Sequence, residues 1–121
     1  LVEVTQYVQR DMDVSPLGFE VGVTPVDTDY PAEINLDGFF AHLNKGTCGT
    51  GDNFETGTPK VACNLVDMEG YALAKVCKKL GVRLISVKYI TDGANDTAHL
   101  DWEENLLLGA KKLLELYKTI K

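Results

Sequence analysis

Hydrophobic and polar residues alternate along the first ten positions of the chain, and this alternation predicts a strand. Val2, Val4 and Val8 fall on one face at a period of two residues, which is typical of a half-buried strand. The stretch between Pro16 and Pro25 alternates in a similar way, so we expect a second extended segment there.

The middle of the chain is rich in glycine and carries weaker signals. Residues 36–43 predict at best a short helix. Residues 45–60 hold four glycines in sixteen positions and almost no periodicity, so they predict a loop or a broken element. Residues 60–66 form a short apolar run, which predicts a strand that leads into Asp67.

After Asp67 the hydrophobic period changes from two to 3.6 residues, and this change predicts a helix. Leu73, Val76 and Leu80 recur at helical spacing, and we expect them to form the buried stripe. Gly81 stands where a helix-ending residue with positive φ is expected.

Two further elements complete the pattern. Residues 82–90 are rich in β-branched and aromatic side chains and predict a strand in the centre of a sheet. Residues 101–120 predict a final helix whose apolar stripe runs from Leu106 to Ile120. Strand, helix, strand and helix in this order predict a βαβ unit with a right-handed crossover. The fold class is therefore layered α/β with a mixed, partly parallel sheet.

Length, charge and cysteine content narrow the class of protein. The 121 residues fit one domain, and 12 basic against 18 acidic residues give a formal charge of −6. We therefore expect neither nucleic acid nor an anionic membrane as a partner. Cys48, Cys63 and Cys77 lack C-x-x-C spacing, so they predict neither disulfides nor zinc. We expect no metal or other cofactor, and a reducing, cytoplasmic compartment.

Acidic side chains follow two of the predicted strands, where open α/β sheets bind ligands. Asp67 and Glu69 follow the first of these strands and Asp92 follows the second. If the strands are parallel neighbours, these acids face one crevice. Taken alone, Asp67 and Glu69 are more simply explained as helix caps and Asp92 as a turn residue. Phe54, in the glycine-rich loop, is either a stacking platform or a core anchor.

Several segments, taken in order, match the pattern of one enzyme family. VDMEGYALAKVCKKLGVRLISVKYITDGAND, followed by AHLDWEENL, resembles an acid-Met-Glu triplet that opens a helix, a strand ending in Ser-Asp, and a His-Leu-x-aromatic-acid stretch. Upstream, RDMDVSPLGFEVG and GTGDNF resemble the segments D-x-D-V-T-x-F-G and S-G-D-x-F. Together they resemble the C-terminal half of the purine nucleoside phosphorylase superfamily, closest to the methylthioadenosine/S-adenosylhomocysteine nucleosidases.

The resemblance implies a nucleoside-binding role for four residues. Glu69 would hold the ribose 2- and 3-hydroxyls, Met68 would pack on the sugar, and Phe54 would stack on the base. Glu55 stands where the family usually has an apolar residue whose main chain binds adenine. The identity of the base therefore stays open.

The resemblance also implies the catalytic acid. Asp92 would protonate the five-membered ring of the purine as the N-ribosidic bond breaks, and Thr91 replaces the family's usual Ser. Breaking this bond places positive charge on the sugar and negative charge on the departing base. An acid at the base and a carboxylate near the ribose therefore lower the barrier together.

The implied activity is hydrolysis of a purine nucleoside such as methylthioadenosine or S-adenosylhomocysteine. Phosphorolysis and a non-catalytic nucleoside-binding or assembly domain stay open as alternatives. The family's N-terminal half, with its water-activating acid or phosphate-binding groups, has no counterpart here, so we expect the C-terminal part of a larger domain. The resemblance further implies a homodimer or higher homo-oligomer, with Tyr30 near the interface.

Overall fold

A computed structural model describes residues 1–27, 32–93 and 98–120, without the side chains of residues 98–101, 103 and 104. Its elements are β1 (Val2–Gln9), β2 (Glu33–Asn35), β3 (Asn44–Thr50), β4 (Leu65–Asp67), α1 (Gly70–Leu80), β5 (Ser86–Lys88) and α2 (Ala98–Lys118). The strands form one mixed sheet, and α1 packs on it. The predicted layered α/β class is therefore confirmed.

The strand β1 is the centre of the sheet. It pairs in parallel with β3 along one edge, and β4 continues the sheet by parallel pairing with β3. Along its other edge β1 pairs antiparallel with β2 at residues 6–8 and with β5 at residues 2–4. The carboxyl ends of β1, β3 and β4 therefore meet at the same edge of the sheet.

The direction of β5 shows that the predicted βαβ crossover unit is wrong. α1 connects β4, which runs parallel to β1 through β3, to a strand that runs antiparallel to β1. Within the described ranges β5 is also shorter than the predicted strand and pairs with β1 alone. β-branched composition identifies extended chain but does not encode the direction or the neighbours of a strand.

A bulge in β1 divides its buried residues between the two faces of the sheet. The register with β3 shifts between Val4 and Gln6, and an extra residue in a strand moves the following side chains to the opposite face. Val4 and Tyr7 consequently share one core cluster, which Val8 does not join. That cluster consists of Val4, Tyr7, Ile34, Cys48, Tyr71 and Ala74. The predicted single valine face is wrong for this reason.

The strand β3 lies inside the glycine-rich region for which a loop is predicted. The prediction is wrong for residues 45–50 and correct for residues 51–60, which hold no helix or strand. A Cβ at Gly49 would lie 2.7 Å from the Sγ of Cys63 and 3.1 Å from the Cβ of Arg10. Glycine in this strand therefore permits close packing against neighbouring segments.

Two other predicted elements are replaced by irregular structure. Residues 36–43 are not helical. The backbone N–H groups of Phe39 and Phe40 donate to the buried carboxylate of Glu3, at 2.6 and 3.0 Å, which takes these donors out of any helical ladder. The stretch between Pro16 and Pro25 contains a short 3₁₀ helix and turns where a strand is predicted.

The helix α1 confirms the predicted helix but buries a different face. Gly81 ends it with a φ of 66°, as its position predicts. Tyr71 and Ala74 face the sheet, whereas Leu73 and Val76, which belong to the predicted stripe, are exposed. A helical period identifies the residues that share a face, but it does not identify which face has a partner.

The helix α2 also leaves its predicted apolar stripe exposed. Among its described residues only Gly109 is buried. A Cβ at Gly109 would lie 2.6 Å from the ring of Tyr89, so the small residue allows the helix to approach this ring.

Candidate functional site

A cavity of about 360 Å³ lies at the edge of the sheet where β1 and β4 end. It lies between the loop after β3, the turn that leads into α1, and the segment after β5. Among its lining residues are the six to which the family resemblance implies a role: Phe54, Glu55, Met68, Glu69, Thr91 and Asp92. The structure thus brings together residues that lie up to 38 positions apart in the sequence.

A second, larger hollow of about 450 Å³ borders this cavity. The two share Val66, Thr91 and Asp92, but Phe54 and Glu69 line only the smaller one. We take the smaller cavity as the candidate site because it combines an aromatic surface with two acids from different segments. Volume alone does not identify a binding site.

Asp67 and Glu69 play different parts at the start of α1. Asp67 accepts the N–H of Gly70 at 3.1 Å and the hydroxyl of Thr50 at 2.5 Å. Glu69 occupies the N-cap position but makes no capping hydrogen bond with its side chain. The helix-cap interpretation therefore holds for Asp67 and fails for Glu69, whose carboxylate remains available to the cavity.

An ion pair with Lys88 engages Asp67 further. The Nζ of Lys88 lies 2.7 Å from the Oδ2 of Asp67. Burial lowers the pKa of Lys88, but the hydrogen bond and the negative charge of Asp67 outweigh burial and raise the pKa above its usual value. Lys88 is therefore a cation at neutral pH. The carboxylate of Asp67 is occupied by its contacts with Lys88, Thr50 and Gly70 at the edge of the sheet.

Thr91 and Asp92 form the wall of the cavity that follows β5. The hydroxyl of Thr91 donates to the Oδ2 of Asp92 at 2.7 Å. The side chain of Asn105 in α2 donates to the carbonyl of Thr91 at 3.0 Å. The Thr that replaces the family's Ser therefore keeps a hydroxyl donor on the acid.

Glu69 and Asp92 line one cavity although the reasoning that predicts this is only partly correct. The expectation is that both follow parallel neighbouring strands, whereas β5 is antiparallel to β1 and does not pair with β4. The two acids meet because the segment after β5 returns to the edge where β4 ends.

The sequence interpretation missed Arg10, which follows β1 and lines the same cavity. Its side chain is 2% exposed, and its Nη1 donates to the Oδ1 of Asn53 at 2.8 Å and to Glu55 at 3.1 Å. Its Nη2 donates to the carbonyl of Asn53 at 2.5 Å. Arg10 and Asn53 belong to the two upstream segments that resemble the family, so an arginine at the carboxyl end of a strand was the available signal.

Other parts of the described chain add less to the site. In the described ranges no group of three or more His, Cys, Asp or Glu side chains is arranged to hold a metal ion. No helix there has the length and apolar character needed to cross a membrane. Burial raises the pKa of the Cys48 thiol to about 12, so it packs as an unreactive core residue. Tyr30, the expected interface residue, lies outside the described residues.

A mixed sheet with an acid-lined cavity at the ends of its strands is the arrangement in which open α/β proteins commonly hold small ligands. Residues 1–120 match the family described as the Phosphorylase superfamily. The chain belongs to this superfamily.

Solved structures with this fold include nucleosidases. The 5'-methylthioadenosine/S-adenosyl homocysteine nucleosidase of Helicobacter pylori is 26% identical with a TM-score of 0.82, over 98% of this chain and 58% of that one. Its Neisseria meningitidis counterpart is 24% identical with a TM-score of 0.73, over 91% and 55%. Futalosine hydrolase of Helicobacter pylori has the same fold, at 21% identity and a TM-score of 0.83, over 97% and 58%. The chain spans less than two thirds of the length of each.

Proposed function

We propose that this protein contributes the base and ribose sites of a nucleosidase that hydrolyses a purine nucleoside of the methylthioadenosine or S-adenosylhomocysteine type. The observation that carries the proposal is the single cavity lined by Phe54, Glu69 and Asp92. Its volume of about 360 Å³ falls in the range of about 300–1,000 Å³ that small-molecule sites occupy. Further support comes from a similar solved structure, a nucleosidase with 5'-methylthioadenosine in its active site.

In the proposed complex the purine stacks on the ring of Phe54, and the ribose lies between Met68 and Glu69. The carboxylate of Glu69 accepts hydrogen bonds from the ribose 2- and 3-hydroxyls. As the N-ribosidic bond lengthens, positive charge grows on the sugar, and the same carboxylate stabilises it.

Asp92 acts on the departing base in this mechanism. It donates a proton to the nitrogen of the five-membered ring, so the base leaves without negative charge. The hydroxyl of Thr91, 2.7 Å from Asp92, orients the carboxyl group. The electron pair of the broken bond stays with the base, and a water molecule adds to the sugar carbon and releases one proton to the solvent.

The first test is the substitution Asp92→Asn, made in protein that carries its natural N-terminal sequence. We expect kcat for base release to fall by about 10²–10⁴-fold because the general acid is lost, while the Kd for nucleoside changes by only a few-fold. Base release can be followed by ultraviolet absorbance across a panel of purine nucleosides.

Asp37→Asn is the matched control, because Asp37 is exposed and does not line the cavity. We expect it to retain the wild-type rate. If folded wild-type protein releases no base from any nucleoside of the panel, the proposed hydrolase function is wrong. Tight nucleoside binding without turnover would favour a binding or assembly domain.

Phosphorolysis is the second candidate reaction, and membership of the Phosphorylase superfamily favours it. It shares the roles of Glu69 and Asp92 and differs only in the nucleophile. A phosphorylase would show turnover that depends on inorganic phosphate and yields a sugar phosphate. Turnover at the same rate in phosphate-free buffer would support hydrolysis.

The proposal extends to the compartment and the partners of the protein. The three cysteines are free thiols, which is consistent with the reducing cytoplasm. A small nucleoside and a second copy of the chain are the partners we propose.

A further inference from the structure

We propose that Arg10 is the positioning residue of the base-binding loop, residues 51–57, and that its guanidinium group holds this loop in the shape that presents Phe54 to the base. The inference rests on the proposed function for the binding of a base to Phe54. The claim that Arg10 holds the loop in one shape is argued from the contacts of the loop itself.

Arg10 makes hydrogen bonds to the residue on each side of Phe54. Its Nη1 donates to the side chains of Asn53 and Glu55, at 2.8 and 3.1 Å. The residues on both sides of Phe54 are thus bonded to Arg10. Phe54 itself makes none of these bonds; it is 50% exposed and lines the cavity.

The second observation is that Arg10 also holds the backbone of the loop. Its Nη2 donates to the carbonyls of Asn53, at 2.5 Å, and Gly51, at 3.4 Å. Its own backbone N–H donates to the carbonyl of Thr50 at 2.9 Å, which extends the pairing of β1 with β3 up to the loop. Arg10 therefore attaches the loop to the sheet at several points, whereas the other anchors, Asp11 and Asp67, each accept a single backbone N–H, from Asp52 at 2.7 Å and from Gly51 at 3.1 Å.

The third observation concerns the charge pair between Arg10 and Glu55. The Glu55 side chain is 15% exposed, and its second oxygen accepts the N–H of Gly57 at 2.9 Å. Glu55 thus links the guanidinium to the far end of the loop. The planar fork of an arginine binds acceptors from two separate nitrogens in a fixed geometry, here the side chains at Nη1 and the carbonyls at Nη2, whereas a lysine donates from a single nitrogen.

Burying the guanidinium group of Arg10 costs free energy, which indicates that Arg10 does more than fill space in the core. The Nε of Arg10 is buried without a hydrogen-bond partner in the described residues, and such unsatisfied donors are rare in folded proteins. Apolar residues of similar volume often stabilise a fold as well as a buried ion pair does. A Cβ at Gly51 would lie 2.7 Å from the Cζ of Arg10, so the glycine allows the guanidinium to approach the backbone of the loop.

The test compares Arg10→Met and Arg10→Lys with wild-type protein that carries its natural N-terminal sequence. Because residues 51–57 bind the base and not the sugar substituent, Arg10→Met should raise KM about 10–100-fold. The rise should be equal for methylthioadenosine and adenosine. The Kd for free adenine should rise by the same factor, and kcat should change less. Arg10→Lys should recover only part of the affinity, because an ammonium group cannot bridge the same acceptors.

Lys60→Met is the matched control, since it also removes one positive charge and one ion pair. Lys60 pairs with Asp13, and its side chain is 65% exposed. We expect this variant to keep the wild-type KM and adenine affinity. If it weakens adenine binding as much as Arg10→Met does, the effect belongs to net charge and the proposal is overturned.

Hydrogen exchange separates this proposal from the proposed function. Faster exchange in residues 51–57 of Arg10→Met, with β1 and β3 unchanged, would support the anchoring role even if wild-type protein cleaves no nucleoside. Unchanged exchange in the loop would overturn it. A fall in kcat with unaltered KM and adenine affinity would also overturn it.

If Arg10→Met does not fold, Glu55→Gln decides the question. The amide keeps the acceptor for Gly57 and removes the charge that faces Arg10. We expect a weaker adenine affinity than that of wild type, together with faster exchange at residues 53–57. Wild-type affinity and wild-type exchange in this variant would contradict the proposal.

Discussion

Glu3 is a buried carboxylate on β1, and it binds the segment that follows β2. It is 1% exposed and accepts the N–H groups of Phe39 and Phe40 as well as a charge-assisted bond from Lys45. Burial raises the pKa of Glu3, but the hydrogen bond from Lys45 and the two backbone donors outweigh burial and hold the pKa below its usual value. Glu3 is therefore ionised in the folded protein at neutral pH.

We expect Glu3→Gln to lower the free energy of unfolding at pH 7 by about 1–3 kcal/mol, because the amide loses the charge and turns a donor toward other donors. The folded-state pKa lies below the unfolded value of 4.5. The stability due to ionised Glu3 is thus complete above the unfolded value and is lost as the pH falls through the folded one. Urea unfolding at pH 7 and pH 3 should show the difference from wild type shrinking in acid.

The exposed Glu33→Gln serves as the control for Glu3. Glu33 lies on β2 and accepts an exposed hydrogen bond from Gln6 at 3.2 Å, so we expect a change below about 0.5 kcal/mol. A deficit of Glu3→Gln that is equally large at pH 3 and pH 7 would contradict the assignment of an ionised, buried carboxylate.

Single residues of the candidate site differ in how far the sequence predicts them. Met68, Glu69 and Asp92 stand in short local motifs, and the order of these motifs along the chain is what selects them. Arg10 and Glu55 make contact across a separation of 45 positions. No local pattern encodes a contact of this kind, because it depends on the parallel pairing of β1 with β3.

At the scale of elements, β3 shows why glycine content misleads. Glycine usually marks turns because it tolerates positive φ. In β3, however, Gly46 and Gly49 are not among the glycines with positive φ. Cys63 and Arg10 lie against Gly49 and leave no room for a larger side chain there. Such a close approach is a property of the tertiary structure.

This packing predicts the effect of adding one carbon at Gly49. A Cβ there would lie 2.7 Å from the Sγ of Cys63 and 3.1 Å from the Cβ of Arg10, so we expect Gly49→Ala to destabilise the fold by about 1–3 kcal/mol. Adding Cys63→Ala should restore part of the loss, because it removes the nearest atom. Thermal or urea unfolding of the single and double variants measures both effects.

Gly57→Ala is the reference for this series. A Cβ at Gly57 would meet only the Oε1 of Glu55, at 3.6 Å, which is ordinary contact, so we expect little change in stability. Equal destabilisation by Gly49→Ala and Gly57→Ala would mean that crowding at β3 is not the cause.

The helices show the same limit of sequence interpretation. α1 and its end at Gly81 are predictable because helical spacing and a capping glycine are local signals. The face that α1 buries is not, since apolar residues occur on more than one side of it. Tyr71 and Ala74 reach the sheet because the turn after β4 sets the rotation of the helix, where the N–H of Tyr71 donates to the Oγ1 of Thr50 at 2.8 Å.

Over the whole described molecule, apolar side chains of α2 remain at the surface. Leu106, Leu113 and Tyr117 lie on one stripe and are 48%, 38% and 59% exposed. Monomeric proteins rarely leave a contiguous apolar stripe in water, and such surfaces mark sites of association. The stripe fits the self-association that the family resemblance implies.

We therefore expect the chain to sediment as a species larger than one copy, and expect Leu106→Glu with Leu113→Glu to shift it toward the monomer. Each buried leucine contributes about 1.5–3 kcal/mol to an apolar contact, and an unpaired carboxylate in the contact opposes it.

Lys111→Gln is the control, since Lys111 is exposed and lies about 140° around the helix from Leu106. Sedimentation velocity measures the species, and circular dichroism checks that α2 is retained. If the double variant keeps its helix and sediments like wild type, the stripe does not mediate association, and another surface must account for any oligomer.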